Sequence, residues 1–378
     1  MGTTGTAAGT AVITFTDTEL DPYVTHAPTR RWLTGPGLPG VGGLLTFDAL
    51  RADGLRTVAD STDDPECRLA ADLREQLVIG GLVGLDGPQT DSVLLDGATG
   101  EVTTTCFFHD RLDLMDRRPL APSLETLVRF ATAADELAAL RGQFAAYAGR
   151  YGREAVAEAS AQLLALYEAG SHGEVPPFWR IAAVIRPLAL IAGPGTRSGL
   201  ALDLPPRLLD EEFGARAVVR FEDVDLPSTL THEPTRRFLL EVGLPEECVW
   251  FTLDTDAPLP ALTDRLFRLG SLLEDTALVV DGTTGAVFSW SEPDATLRPL
   301  NADISTLAFT LWLIHRARTL DTDHTLTEAY DHLATTLTHT LKSLDPTSTD
   351  PTPSTPTDDG WRYWPGVFED EAGGGLYA

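Results

Sequence analysis

Apolar residues fall at Leu127, Phe130, Leu137, Leu140 and Phe144. This is the spacing of one helix face, and it predicts a helix over 124–147. Leu307, Leu311 and Ile314 make a comparable stripe and predict a helix over 304–320. Further helices are expected over 153–168 and 326–341. Val12 to Phe15 and Leu44 to Phe47 read as short strands. The apolar, glycine-rich run Leu77 to Leu85 reads as a buried strand with close backbone contacts. Residues 92–102, SVLLDGATGEV, and 277–288, ALVVDGTTGAVF, each place two apolar strands around an Asp-Gly turn, which is a hairpin signal. Asp96 and Asp281 are read as turn residues.

The same pattern occurs twice. Residues 25–39 read THAPTRRWLTGPGLP and residues 231–245 read THEPTRRFLLEVGLP, an offset of 206. A match this dense marks a duplicated module. Each stretch suits a short helix. Pro28 and Pro234 fit the first turn. Thr25 and Thr231 are placed to cap it. Gly243 fits the left-handed position that ends the helix. The Asp-Gly hairpins lie 185 apart, so the first copy carries about 21 extra residues before its hairpin. The polar residues 51–67 account for most of them and are expected to form a loop insertion. Pro119-Leu120 and Pro299-Leu300 continue the correspondence, as do Phe178-Trp179 and Tyr363-Trp364, whose rings are expected to anchor terminal segments.

Each copy runs strand, helix, several strands with a hairpin, then helices, which indicates an α+β fold rather than alternating α/β. The expected organisation is a first domain over 10–192, a Gly/Pro-rich and then acidic connector over 193–215, and a second domain over 216–344. A flexible Pro/Ser/Thr/Asp-rich linker is expected over 345–360, and a C-terminal docking segment over 361–378. Residues 1–10 read as a disordered tail.

Charge changes the picture most. The net charge of −28 argues against unaided binding of nucleic acid, whose phosphates would be repelled, and favours a basic protein partner. Cys67, Cys106 and Cys248 are too few and too scattered for a disulfide framework or a zinc site, which fits a reducing, cytoplasmic setting. Met1 is followed by a small, polar run instead of a secretory signal. The apolar run Ile181 to Ala192 is broken by Arg186 and Pro187, short of the roughly 20 residues that span a bilayer. No membrane segment is expected.

Catalytic signatures are missing. Gly193 to Gly199 lacks the Gly-Lys-Ser/Thr ending of a phosphate loop. There is no Gly-x-Ser-x-Gly elbow and no His-Glu-x-x-His helix. His109, Asp110 and Asp113 form a polar cluster without a second histidine. His26, Thr29, Arg30 and Arg31, with His232, Thr235, Arg236 and Arg237, read as helix punctuation and a solvated face. No catalytic residue, cofactor or metal site is expected.

The segment Thr-His-x-Pro-Thr-Arg-Arg-aromatic-Leu, then Gly-Leu-Pro, then a hairpin with Asp-Gly-x-Thr-Gly, resembles the SUKH superfamily, in particular its fourth subfamily of bacterial immunity proteins. The second copy matches better, through Phe221, His232 to Pro245 and Val279 to Val287. The resemblance implies two tandem domains, each a mixed or antiparallel sheet flanked by helices. It also implies a non-enzymatic role: binding and neutralising a toxin domain, often a nuclease or a nucleic-acid deaminase, delivered between competing bacteria. Acidic clusters are the candidate contacts with a basic toxin: Asp203, Asp210, Glu211 and Glu212, and Glu222, Asp223 and Asp225. Two alternatives stand beside this reading. One is a regulatory scaffold without a toxin, and the other is an enzyme using the duplicated histidines and arginines.

Overall fold

The structure is a computed structural model that describes residues 12–40, 43–62, 68–83, 89–107, 111–168, 174–255, 259–272, 276–291, 296–321, 324–349 and 362–372. The expected tail 1–10, Cys67, His109 and Asp110 lie outside the described residues, as do residues 350–360 of the expected linker. The chain forms two compact units, one of Met1–Ala146 with Ala161–Ala183 and one of Tyr147–Ser160 with Val184–Ala378.

In the first unit, helix α1 (Ala27–Thr34) precedes a six-stranded sheet of β1 (Leu45–Thr46), β2 (Arg56–Thr57), β3 (Leu77–Val83), β4 (Gln89–Leu95), β5 (Val102–Thr105) and β6 (Arg118–Ala121). Both β1 and β2 pair with β3, and the order then runs β3-β4-β5-β6. Helix α2 (Leu124–Ala138) follows, capped by the Ser123 side chain, which accepts from the Thr126 amide. Its apolar stripe, Leu127, Phe130, Ala134 and Leu137, is buried. Helices α3 (Arg153–Glu168) and α4 (Pro177–Ile185) complete the first copy of the repeat. Trp179 is 0% exposed, donates its indole N–H to the Leu120 carbonyl, and lies 4.2 Å from the Phe130 ring.

The second unit repeats the plan. Helix α5 (Glu233–Glu241) precedes a six-stranded meander of β7 (Glu247–Cys248), β8 (Phe251–Leu253), β9 (Leu266–Ser271), β10 (Thr276–Asp281), β11 (Val287–Ser291) and β12 (Thr296–Asn301). Helices α6 (Ile304–Leu320), α7 (Tyr330–Leu344) and α8 (Tyr363–Ala372) follow. Among the described residues every strand pairing is antiparallel. The α+β architecture with helix-flanked sheets is therefore as expected, with antiparallel sheets. Phe267, Leu278, Val280, Val287 and Leu300 are buried, as are Leu307 and Leu311 of α6. Asp303 caps α6 by accepting from the Ser305 and Thr306 amides.

Some local expectations change. Helix α2 stops at Ala138 because Leu140 and Gly142 take positive φ values of 46° and 54°; a 3₁₀ turn, Gly142–Tyr147, follows. The polar insertion is folded where it is described, with helices Asp48–Asp53 and Val58–Ser61 around β2. The connector is ordered too: Gly193–Pro194 pairs with Leu202–Asp203, and Leu208–Phe213 is helical. The Asp-Gly hairpins close through wider loops than a two-residue turn. The Asp281 amide bonds to the Ala286 carbonyl, and Gly285, at φ 80°, supplies the left-handed residue.

Candidate functional site

The repeated helix and its hairpin turn form one interlocked unit in each copy. The amides of Thr25 and His26 both donate to the Gly97 carbonyl at 2.9 Å, and those of Thr231 and His232 to Gly282 at 2.8 Å. The turn thus satisfies one orphan donor of each helix, the cap-residue amide, and the amide before it. His26 and His232 occupy the cap position that Thr25 and Thr231 were expected to fill, and neither imidazole bonds the helix amides. Instead His26 Nδ1 lies 2.8 Å from the Thr29 hydroxyl and His232 Nδ1 lies 2.9 Å from that of Thr235. Both threonines are buried. A hydroxyl partner orients each imidazole.

Turn carboxylates hold the other side. Asp281 Oδ1 accepts the Thr283 and Thr284 amides at 2.8 and 3.1 Å, and its Oδ2 meets Arg265. Burial alone would push this carboxyl up; those donors outweigh it and hold it below the usual carboxylate range. Asp96 behaves alike. Burial is opposed by the Thr99 amide, the Gln76 side chain and the Ala98 amide, and the carboxyl again ends low. Both residues serve their own turns, as their sequence context predicted.

Arginines fasten the segment before each helix. Arg30 donates to Asp21 at 2.6 Å, to the Asp17 carboxylate at 3.0 Å and to the Val24 carbonyl at 2.8 Å. Hydrogen bonds to Asp21 and Asp17 raise the Arg30 pKa. Its counterpart Arg236 donates to Asp223, the residue 206 places after Asp17. Arg31 and Arg237 are exposed, and Arg237 sits 3.9 Å from Glu233 one turn away.

Many of the acidic candidates already have partners within the chain. Asp203 accepts from the Ser198 amide at 2.8 Å and the Arg197 amide at 3.1 Å. Burial raises its pKa, but these donors bring it below the ordinary value. Asp210 holds both oxygens 2.8 Å from Arg220. Glu211 pairs with Arg153, and Glu212 lies beside His315 and Arg316. Asp225 accepts the Glu222 amide at 2.8 Å. Glu211, Glu222 and Asp223 remain exposed or partly so.

Cys248 lines an open depression of about 410 Å³ with Trp250, Phe251 and Leu272. Burial pushes its thiol up to about 11, away from the thiolate that would react. Asp113 pairs with Arg111. Among the described residues no three His, Cys, Asp or Glu side chains are grouped to hold a metal ion, and no helix is long and apolar enough to cross a membrane.

Sequence reasoning passed over a polar knot in the second unit. Asn301, 1% exposed, donates to Asp345 at 3.0 Å and to Thr310 at 3.2 Å, while accepting from the Trp364 indole at 2.9 Å. It also passed over the alternation Phe288-x-Trp290 on β11, a visible period-two signal for one sheet face.

No curated protein and no solved structure matches the chain. The family described as SUKH-4 immunity protein matches it twice, over residues 3–166 and 204–370. Two matched regions spanning most of the chain, with the helix–turn unit built alike in both, make this chain a tandem member of the SUKH-4 immunity protein family.

Proposed function

We propose that the chain binds and neutralises a basic toxin domain of the nuclease or nucleic-acid deaminase class in the cytoplasm, without catalysing a reaction. The twofold family match carries the reading. The charge of −28 supports the basic partner, because opposite fields speed encounter and favour the matching surface. The histidines being held by hydroxyls, and the half-buried Cys248 thiol being kept protonated, support a non-enzymatic role. The duplicated histidines serve to lock the helix to its turn, and Arg30 and Arg236 to fasten the segment before it. Among the acidic candidates, Glu211, Glu222 and Asp223 are exposed, the first and last while paired with arginines, and are the ones we assign to steering a partner.

The test is co-expression with the toxin encoded beside this chain's gene, scoring survival, together with capture of the purified toxin at two salt concentrations. Rescue is expected. Affinity is expected to fall between about 50 mM and about 500 mM salt, as the Debye length shortens. Binding indifferent to salt removes the charge argument, and failure to rescue removes the function.

A further inference from the structure

The two sheets differ in what lies on the face turned away from the helices. In the first unit this face bears Val78 and Leu94, which pair across β3 and β4. Val58 of the insertion and Leu69 and Leu73, which follow it, cover this face, with Leu112 and Met115 from the connection between β5 and β6. All five covering residues are at most 4% exposed. The chain thus supplies its own lid, made of short helical turns with aliphatic side chains.

Among the described residues the second unit carries the same face without the lid; its centre, Val279, is 0% exposed, and the open part lies toward the edge strand β12. Val279, the counterpart of Leu94 at the offset of 185, pairs with Phe288 on one side and Arg268 on the other. Trp290 pairs with Ala277 and Leu297, and Phe288 with Pro299. These pairings put Phe288, Trp290, Leu297 and Pro299 on one face. The positions that hold Thr103 and Thr105 under the lid hold Phe288 and Trp290 here. Leu297 is 39% exposed, Pro299 is exposed, and Phe288 and Trp290 are partly so. The insertion is absent, and the connection between β11 and β12 is cut to 292–295.

We propose that the open part of this lidless face, around Trp290, receives an aliphatic helical segment of the toxin, which takes the place of the lid the first repeat builds for itself. The inference rests on the immunity reading above. The first repeat shows what chemistry seats on the face. Charge decides whose chemistry it is: residues 204–370 hold 29 acidic and 12 basic residues, so an apolar helix with basic flanks is complementary to the patch and its surroundings. Arg268, on the same face, is paired with Asp254 at 3.1 Å and bonded to Ser271 at 2.8 Å, which lowers its repulsion of a basic visitor. A second acidic copy of this chain is disfavoured by the same charge. A partly exposed tryptophan flanked by apolar neighbours is the residue type that dominates binding energy at interfaces.

The experiment uses the full chain and the purified toxin encoded beside its gene. Trp290→Asp is expected to weaken binding about 100-fold or more, and Trp290→Phe by less than about tenfold, with the melting temperature of the Phe variant unchanged. Should Trp290→Asp fail to fold, Leu297→Asp carries the same expectation from a more exposed position. A photo-crosslinking residue at position 297 is expected to join the toxin. Crosslinking to a second copy of the chain, or wild-type affinity in both Asp variants, overturns the inference while leaving the immunity reading intact. A wild-type chain that does not bind the toxin at all overturns both.

Discussion

Gly285 and His232 face each other so closely that a Cβ on Gly285 would sit 2.5 Å from the His232 Nδ1, and 2.7 Å from the Thr235 hydroxyl. Gly100 stands in the same relation to His26 and Thr29, at 2.2 and 2.7 Å. Both glycines hold φ at 80°. The histidine and the last glycine of Asp-Gly-x-Thr-Gly therefore belong to one contact, which explains why the two motifs travel together in both copies.

Gly285→Ala should be costly on two counts. The left-handed backbone costs a residue with a Cβ about 1 kcal/mol, and overlap with the imidazole about 1–3 kcal/mol more. His232→Ala removes the overlap with the imidazole but neither that with the Thr235 hydroxyl nor the backbone penalty. A double-mutant cycle should then show a combined loss at least about 1 kcal/mol smaller than the sum of the single losses. Hydrogen exchange of the Thr231 and His232 amides, which both donate to Gly282, reads the cycle locally. Strict additivity would separate the histidine from the turn.

The Asn301 knot makes a second prediction. Replacing Asn301 with Ala strips a donor from Asp345, which is 0% exposed, and an acceptor from the Trp364 indole. Asp345 keeps the Ala302 and Thr347 amides, so the Trp364 indole is the group left unpaired, and an unpaired buried polar group costs about 1–3 kcal/mol. Asn301→Ala should therefore lower the unfolding free energy by about 1–3 kcal/mol, read by urea denaturation. Trp364→Phe loses one hydrogen bond and should leave Asp345 partnered. Equal stability of the Asn301 variant and the wild type would show that water replaces the amide.

How much of this was legible beforehand depends on the range of the forces involved. The offset of 206 anticipated correspondences that recur as bonds: the Phe15 and Phe221 amides donate to the Leu33 and Leu239 carbonyls, and Gly37 and Gly243 both approach the backbone before the helix. Helices α3 and α6 match their predicted spans because caps and apolar spacing act locally. The insertion was read as loop because its helices are short and polar; Val58 gains its apolar contacts in a cluster with Leu94, Leu112 and Met115, distant in sequence. Acidic candidates such as Asp210 and Glu212 looked free because a sequence does not reveal that Arg220 or Arg316 reaches them. Asn301 and Asp345 are 44 residues apart, beyond any local pattern.

Asp281 predicts an acid-sensitive turn. Its carboxyl is held low in the folded chain, so it stabilises the fold above the unfolded value near 3.9, and that contribution is lost as pH falls through the folded value. Asp281→Asn should cost about 1–3 kcal/mol at neutral pH, where the charged acceptor of the Thr283 and Thr284 amides is lost. Below about pH 4 the gap between variant and wild type should narrow. Urea unfolding at pH 7, 4 and 3 measures it, and a gap of constant size would assign the loss to packing instead of charge.

His339 predicts a second pH window, opened by a different mechanism. Burial, with Arg186 and Lys342 adding repulsion, pushes its imidazole down to about 4. In the unfolded chain the same group takes up a proton near pH 6.5. The unfolded state therefore binds more protons between those values, and stability, full above about 6.5, declines steadily toward pH 4. The shift corresponds to a loss on the order of 3 kcal/mol across the window. His339→Gln retains polarity and similar length but does not titrate, so its stability should stay flatter from pH 6.5 to 4 while keeping the wild-type decline below pH 4 that the turn carboxylates produce. A variant with the wild-type slope between pH 6.5 and 4 would place the acid sensitivity on another histidine, and NMR titration of the His339 ring would then show a pKa near the ordinary value.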